Sequence, residues 1–206
     1  LPGLWSALPW VPNDVALFDN APLLRTLERL VDFERLNRGG TRLTVGCVDI
    51  ETGEEVYFDT ARQEVRPEHI LASTAILPAF PPVEVDGRVL CDAGYTNNLP
   101  LDPLFKTEPE RDLLCIASDL FSLQARRPAS LDAVLERAYD LIFASAPRRA
   151  IAGLRREYEL RQRLDPTGPA VTLLHLVYRA GADQLAAKSF DFSPSSIRDR
   201  WAAGGR

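Results

Sequence analysis

Between Ala72 and Leu101 the chain reads ASTAILPAFPPVEVDGRVLCDAGYTNNLPL, and this stretch constrains the fold more than any other. Pro78, Pro81 and Pro82 can neither continue a helix nor sit in a central strand. Val83 to Cys91 then reads as a hairpin about Asp86-Gly87, a dipeptide that accepts positive φ at both turn centres. The returning arm is apolar and ends on one carboxylate, Asp92, directly before Ala93-Gly94. Asn97-Asn98 and Pro100 set a second turn. An acid at a strand end, with turns fixing the chain on both sides, must therefore be accommodated by whatever fold forms.

Around this stretch, helical and strand patterns alternate. Asn20 is placed to cap a helix with Leu23, Leu24, Leu27, Leu30 and Val31 on one face, ended by Arg38-Gly39-Gly40. Residues 42–50 read as a strand, Glu51 to Glu54 as a turn and Glu55 to Phe58 as the returning strand. Pro67 starts a helix through Ala75, ended before Pro78. Leu113 to Ala117, apolar on both faces, has the pattern of a buried parallel strand. Ser130 caps a helix whose apolar positions are Leu131, Val134, Leu135, Ala138, Leu141 and Ile142. Pro147 is expected to interrupt it, and a charged helix with Ile151, Leu154 and Tyr158 inward to follow. Val171 to Tyr178 is a further strand, and Ser193-Pro194 opens a short helix toward Trp201. The first twenty residues, rich in proline and tryptophan, read as an ordered loop. The alternation predicts a layered α/β fold with helices on both sheet faces. One domain over 1–206 is the simplest partition, with a core over 1–125 and a helical segment, strand and extension over 126–206.

A chain of 206 residues, 46% hydrophobic and 26% charged, fits one soluble core. The net charge of −5 and the lack of a basic tract interleaved with aromatics exclude nucleic acid as a partner. With no apolar run of membrane-span length and no n-region followed by an h-region, the expected location is cytoplasmic. Cys47, Cys91 and Cys115 are isolated in apolar runs and read as small buried hydrophobes, neither metal ligands nor a disulfide framework. No P-loop, dinucleotide fingerprint or metal motif is present, so no cofactor is expected. Methionine is absent, which suggests that the chain is part of a longer polypeptide.

Asp92 is the residue with chemistry to offer. An exposed aspartate with a pKa near ~4 is a poor base at neutral pH, whereas partial burial at the end of an apolar strand raises its proton affinity. The alternative bases, His69 and His175, have no recognisable catalytic setting in the sequence. Asp-x-Gly taken alone is most often a turn aspartate. Its neighbours carry the weight: Ala72-Ser73 to Pro78, Phe80-Pro81-Pro82, Gly87-Arg88, Asp92-Ala93-Gly94 and Asn98-Leu99-Pro100-Leu101 follow in that order. In these pieces the chain resembles the patatin-like phospholipases. The Thr52-Gly53-Glu54 turn extends the resemblance upstream, and Lys188 through Trp201 is similar to the C-terminal extension of a bacterial subgroup.

The resemblance implies a three-layer α/β/α fold around a mostly parallel central sheet, here lacking the N-terminal strand and nucleophile elbow. It implies a lipid acyl hydrolase in which Asp92 is the sole base of a Ser–Asp dyad, with Ala93 and Gly94 completing its motif. Asn97 and Asn98 could orient Asp92, or simply form the turn. The substrate would be a lipid or acyl ester, met with or without peripheral membrane contact. The family's Gly-x-Ser-x-Gly elbow does not occur in these residues, and Ser6 does not fit one. The nucleophile is expected upstream of Leu1, and the chain alone is expected to be inactive. Ala93 stands where the family commonly has glycine; a left-handed conformation there would cost alanine about 1 kcal/mol, unless Gly94 carries it instead. Two rival readings stay open: a non-catalytic binding or scaffold protein of the same fold, and an unrelated α/β hydrolase using a late histidine such as His175. Ser73 reads as a capping or packing residue, and the Arg126-Arg127, Arg148-Arg149 and Arg155-Arg156 pairs as solvated helix faces.

Overall fold

Short turns decide two of the three strand pairings in the first half of the chain. The computed structural model describes residues 16–106, 109–125, 127–178 and 193–205. The expectations for the first fifteen residues, including Ser6, for Arg126 and for the 188–192 part of the extension lie outside these. Two compact units, Leu1–Gly94 and Tyr95–Arg206, make up the chain.

In the first unit, α1 (Ala21–Leu30) and α2 (Phe33–Asn37) replace the single helix expected up to Arg38. Val31 is extended, and the Asp32 carboxylate accepts the Arg35 N–H at 2.9 Å, starting a new helix instead of continuing the old one. The cap of α1 also differs: Asp19 Oδ1 accepts from Ala21 N, while the Asn20 side chain makes no capping bond. β1 (Thr44–Asp49) and β2 (Glu55–Asp59) form an antiparallel hairpin with Val45 opposite Phe58. α3 (Pro67–Ser73) precedes a second hairpin, β3 (Val83–Val85) and β4 (Arg88–Asp92). Asp86 at φ 51° and Gly87 at φ 76° form its turn, as the dipeptide predicts.

The sheet order is β2-β1-β4-β3, antiparallel throughout. This overturns the mostly parallel central sheet. Arms joined by turns of a few residues can only pair antiparallel; a parallel pair needs a long crossover. One face of the sheet buries Val45, Cys47, Phe58, Val85 and Leu90 with Val65 and Ala72 of the α3 region. Val48, Cys91 and Ala93 form a smaller cluster with Leu77.

The second unit contains the one long crossover among the described residues. After the short α4 (Gly94–Asn97) and α5 (Asp102–Phe105), β5 (Leu113–Asp119) leads through α6 (Leu131–Leu164) to β6 (Val171–Val177), which pairs with β5 in parallel. α7 (Pro194–Gly204) follows, capped by Ser193 as expected. The Ser130 hydroxyl caps α6 through the Ala133 N–H. Pro147 does not interrupt α6. Its ring costs the helix one N–H and a clash of about 3 kcal/mol, which its complete burial helps to offset.

Two apolar patterns point away from the core. Asp140, Phe143, Ala144 and Pro147 are buried on α6, and the stripe continues through Ile151, Leu154 and Tyr158. Leu131, Val134, Leu135, Leu141 and Ile142 are exposed instead. On β5, Cys115, Ala117 and Asp119 are buried while Leu114 and Ile116 are about 60% exposed (63% and 60%). The strand is parallel, as expected, but covered on one face.

Candidate active site

Asp92 is the last residue of β4, with Cys47 of β1 opposite it in the register. Alternate positions share a face, so its carboxylate stands on the side of Leu90 and Cys47, both fully buried. The Asp92 N–H donates to the Ala75 carbonyl at 3.1 Å, tying the strand end to the segment that leaves α3. The residue is half-buried. Its Oδ1 accepts the Gly94 N–H at 2.7 Å, which fixes the plane of the carboxyl group. Among the described residues no cation pairs with it and no donor reaches Oδ2.

Burial raises the Asp92 pKa above its ordinary value, and the Gly94 N–H pulls it part of the way back. The neighbouring thiols report the same surroundings. Burial, and then the Asp92 charge, push Cys47 up to about 12. Burial and Asp92 raise Cys91 as well. Both thiols, and Cys115, are buried and free, in keeping with their reading as small hydrophobes.

Ala93 is buried against Val48, Cys91 and Leu77. Neither Ala93 nor Gly94 has a positive φ, so neither carries the left-handed conformation considered from the sequence. Alanine at 93 is therefore unstrained. A Cβ at Gly46 would meet the Ala93 methyl at an ordinary 3.6 Å, and its tight contact would be with the Tyr57 ring on the neighbouring strand, at 3.1 Å. The structure thus brings Asp92, Ala93 and Gly94 together around one hydrogen bond. Asn97 and Asn98 belong to the second unit. Asn97 is buried at the end of α4 with no hydrogen bond to its Oδ1, and Asn98 is half-buried.

The other candidates separate clearly. Ser73 donates its hydroxyl to the Ile70 carbonyl at 2.8 Å, within its own helix end. His69 is buried, its ring centroid 4.0 Å from that of Phe58, and its Nδ1 accepts the Arg66 N–H at 2.8 Å. Burial lowers its pKa, with the Arg66 charge adding to the effect. It is a packing residue. Arg127, Arg149, Arg155 and Arg156 are exposed, and Arg155 pairs with Glu159 along α6.

His175 has a setting that the sequence did not reveal. Its Nε2 lies 3.2 Å from Oδ2 of Asp119, a carboxylate only 4% exposed at the end of β5. Asp119 Oδ1 accepts the Phe121 N–H at 3.0 Å. An aspartate closing the apolar run LLCIAS is the same signal that singles out Asp92, and it could have marked Asp119 as well. Its pairing with a residue 56 positions away could not be read without the register.

Among the described residues no three His, Cys, Asp or Glu side chains gather in a way that could hold a metal ion. No helix among them is long and apolar enough to cross a membrane. A family model described as patatin-like phospholipase matches residues 2–105, and one described as patatin phospholipase matches residues 147–206. The similarity therefore spans both ends of the chain and is not confined to an extension. No curated protein matches the chain.

Proposed function

The chain belongs to the patatin-like phospholipase family, and from that premise we propose that it supplies the base of a serine lipid acyl hydrolase. The observation that carries this reading is the state of Asp92: half-buried, raised in proton affinity, held by Gly94 through one oxygen and, among the described residues, paired with no cation. A carboxylate in that state can act as a general base where an exposed one cannot.

Asp92 takes the proton from a serine hydroxyl as its oxygen attacks the acyl carbonyl. The carboxyl group so formed protonates the leaving alkoxide, and the acyl group remains on the serine. Asp92 then takes a proton from water, which releases the acyl group as a carboxylic acid and returns the proton to the serine. The serine comes from polypeptide outside these 206 residues, because the elbow motif does not occur within them. Ala93 supports Asp92 by packing under the strand end, and Gly94 by its N–H. The substrate is a lipid or related acyl ester.

The test is Asp92→Asn in the intact protein with a p-nitrophenyl ester. Asparagine keeps an oxygen for the Gly94 N–H but cannot take the proton. Turnover should fall by about 10³-fold or more, the scale seen when one member of a hydrolytic constellation is removed. Circular dichroism should be unchanged. A folded variant that keeps a tenth of its turnover overturns the assignment.

A further inference from the structure

Two cavities of the second unit differ in what their cations are doing. The larger, about 570 Å³, runs along α6 and has Arg155 and Arg161 on its rim. Both are already engaged, with Glu159 and Glu157. The smaller, about 290 Å³, opens where β5 and β6 end, and Arg148 lines it. No ion pair or hydrogen bond engages Arg148 among the described residues.

Its floor is the Asp119–His175 pair. In the parallel register Ala117 faces His175 and Asp119 faces Val177, so the acid and the imidazole meet diagonally on the buried side of the sheet. Asp119 takes one contact on each oxygen, from Phe121 N and His175 Nε2. With Nε2 committed, His175 keeps only Nδ1 for a ligand. The walls are apolar: Phe121, Leu123, Ala144 and Val177.

The wall is held in place before any ligand arrives. Arg137 Nη1 donates to the Ser122 carbonyl at 2.9 Å, and Nη2 to the Leu123 carbonyl. Ser122 Oγ accepts the Gln124 N–H at 3.1 Å, and the Phe121 and Phe143 rings meet tilted by 31° with centroids 4.9 Å apart. An apolar cavity at the carboxyl ends of parallel strands, with a few placed polar groups, has the general form of a small-molecule site.

We propose that this cavity binds a small monocarboxylate, its short apolar chain between Phe121, Leu123 and Val177 and its carboxylate on the Arg148 guanidinium. A planar fork of donors suits a carboxylate, and the cation stands on the exposed side, as Val177 does, while Phe121 and Leu123 are half-buried and Ala144 is buried. The site stands apart from the Asp92 reading and does not depend on it, although ester hydrolysis would generate a ligand of this class.

The test is calorimetric titration of the intact protein with sodium hexanoate, hexanol and inorganic phosphate, with ¹H–¹⁵N spectra of the His175 ring recorded in parallel. Hexanoate should bind at least tenfold more tightly than either hexanol or phosphate. The His175 ring signals should move along the same saturation curve. Arg148→Gln, on an exposed helix position where folding is not at risk, should weaken hexanoate at least tenfold, and Arg148→Lys should weaken it less. Three results would each overturn the proposal: equal affinity for hexanoate and hexanol, equal affinity in Arg148→Gln, or saturation that leaves the His175 signals in place. None of these readouts involves ester turnover, so the fate of this site and that of Asp92 are decided separately.

Discussion

At the scale of single residues, Asp92 shows how burial turns an ordinary side chain into a base. Desolvation disfavours its charged form, so its acid form persists to higher pH than that of an exposed aspartate with its value of 3.8. A base must be deprotonated to act, so the acid limb of kcat/KM for ester hydrolysis should lie above pH 3.8 in the intact protein. A limb at or below that value would mean that burial does not tune this group. Ala93 gives a second prediction. Its backbone is unstrained and its methyl is buried, so Ala93→Gly removes packing and adds backbone freedom without relieving strain. It should lower stability by about 1 kcal/mol, read as a shift of the urea midpoint at constant slope. A glycine variant more stable than the parent would show that alanine is the strained choice. The sequence made Asp92 legible because turn chemistry on both sides is local. It hid Asp119–His175 because that contact depends on strand register.

At the scale of elements, what was readable is what short-range physics decides. The Asp86-Gly87 turn, the β1–β2 hairpin, the α6 cap at Ser130 and the parallel pairing of β5 all follow from residues within a few positions or from crossover length. Misread elements are those where two local rules compete. Asp32 caps a new helix where leucine spacing argued for one continuous helix. Pro147, a helix breaker on local rules, is kept inside α6, where it is wholly buried. The inward stripe of α6 begins with Asp140 and Ala144, not with its more hydrophobic leucines, and continues into Ile151, Leu154 and Tyr158, which pack against the cluster of Leu99, Leu101, Phe105, Cys115 and Ala117. Gly87 tests the turn argument. No atom stands within 4 Å of where its Cβ would be, so Gly87→Ala meets only the cost of φ 76°. That cost should be about 1–2 kcal/mol in urea unfolding, and Gly87→Asn should cost less, because asparagine tolerates this region. Equal losses for the two variants would point to something other than backbone conformation.

At the scale of the whole molecule, the alternation of helices and strands suggested one mostly parallel sheet, yet the described strands form an antiparallel four-stranded sheet and a parallel pair. Connection length fixes the direction of the two hairpins, whereas the antiparallel β1–β4 pair joins strands separated by residues 50–87 and could not be read from any turn. Stability against acid is likewise a property of the whole, a sum of groups whose pKa values shift in opposite directions. Asp59 is held down to about 2, first by the Arg42 hydrogen bond, against an ordinary value of 3.8. Its folded form therefore binds fewer protons than its unfolded form in that window. The stabilisation is complete above about pH 5 and is lost as pH falls toward 2. Arg42 is 47% open to solvent, so the pair is worth on the order of 1–2 kcal/mol and not the full linkage value. His69, lowered by burial, adds a loss of stability as pH falls below 6.5, because the unfolded histidine takes up a proton more readily. Asp92 works the other way: its acid form is favoured in the folded state, so its contribution declines as pH rises above 3.8. Urea unfolding from about pH 7.5 down to about 2.5 should therefore show stability falling in two stages, the upper from His69 and the lower from Asp59. His69→Gln should flatten the upper stage. Asp59→Asn should lower stability at neutral pH and flatten the lower stage; a variant that still falls as steeply as the parent below about pH 5 would remove Asp59 from this account.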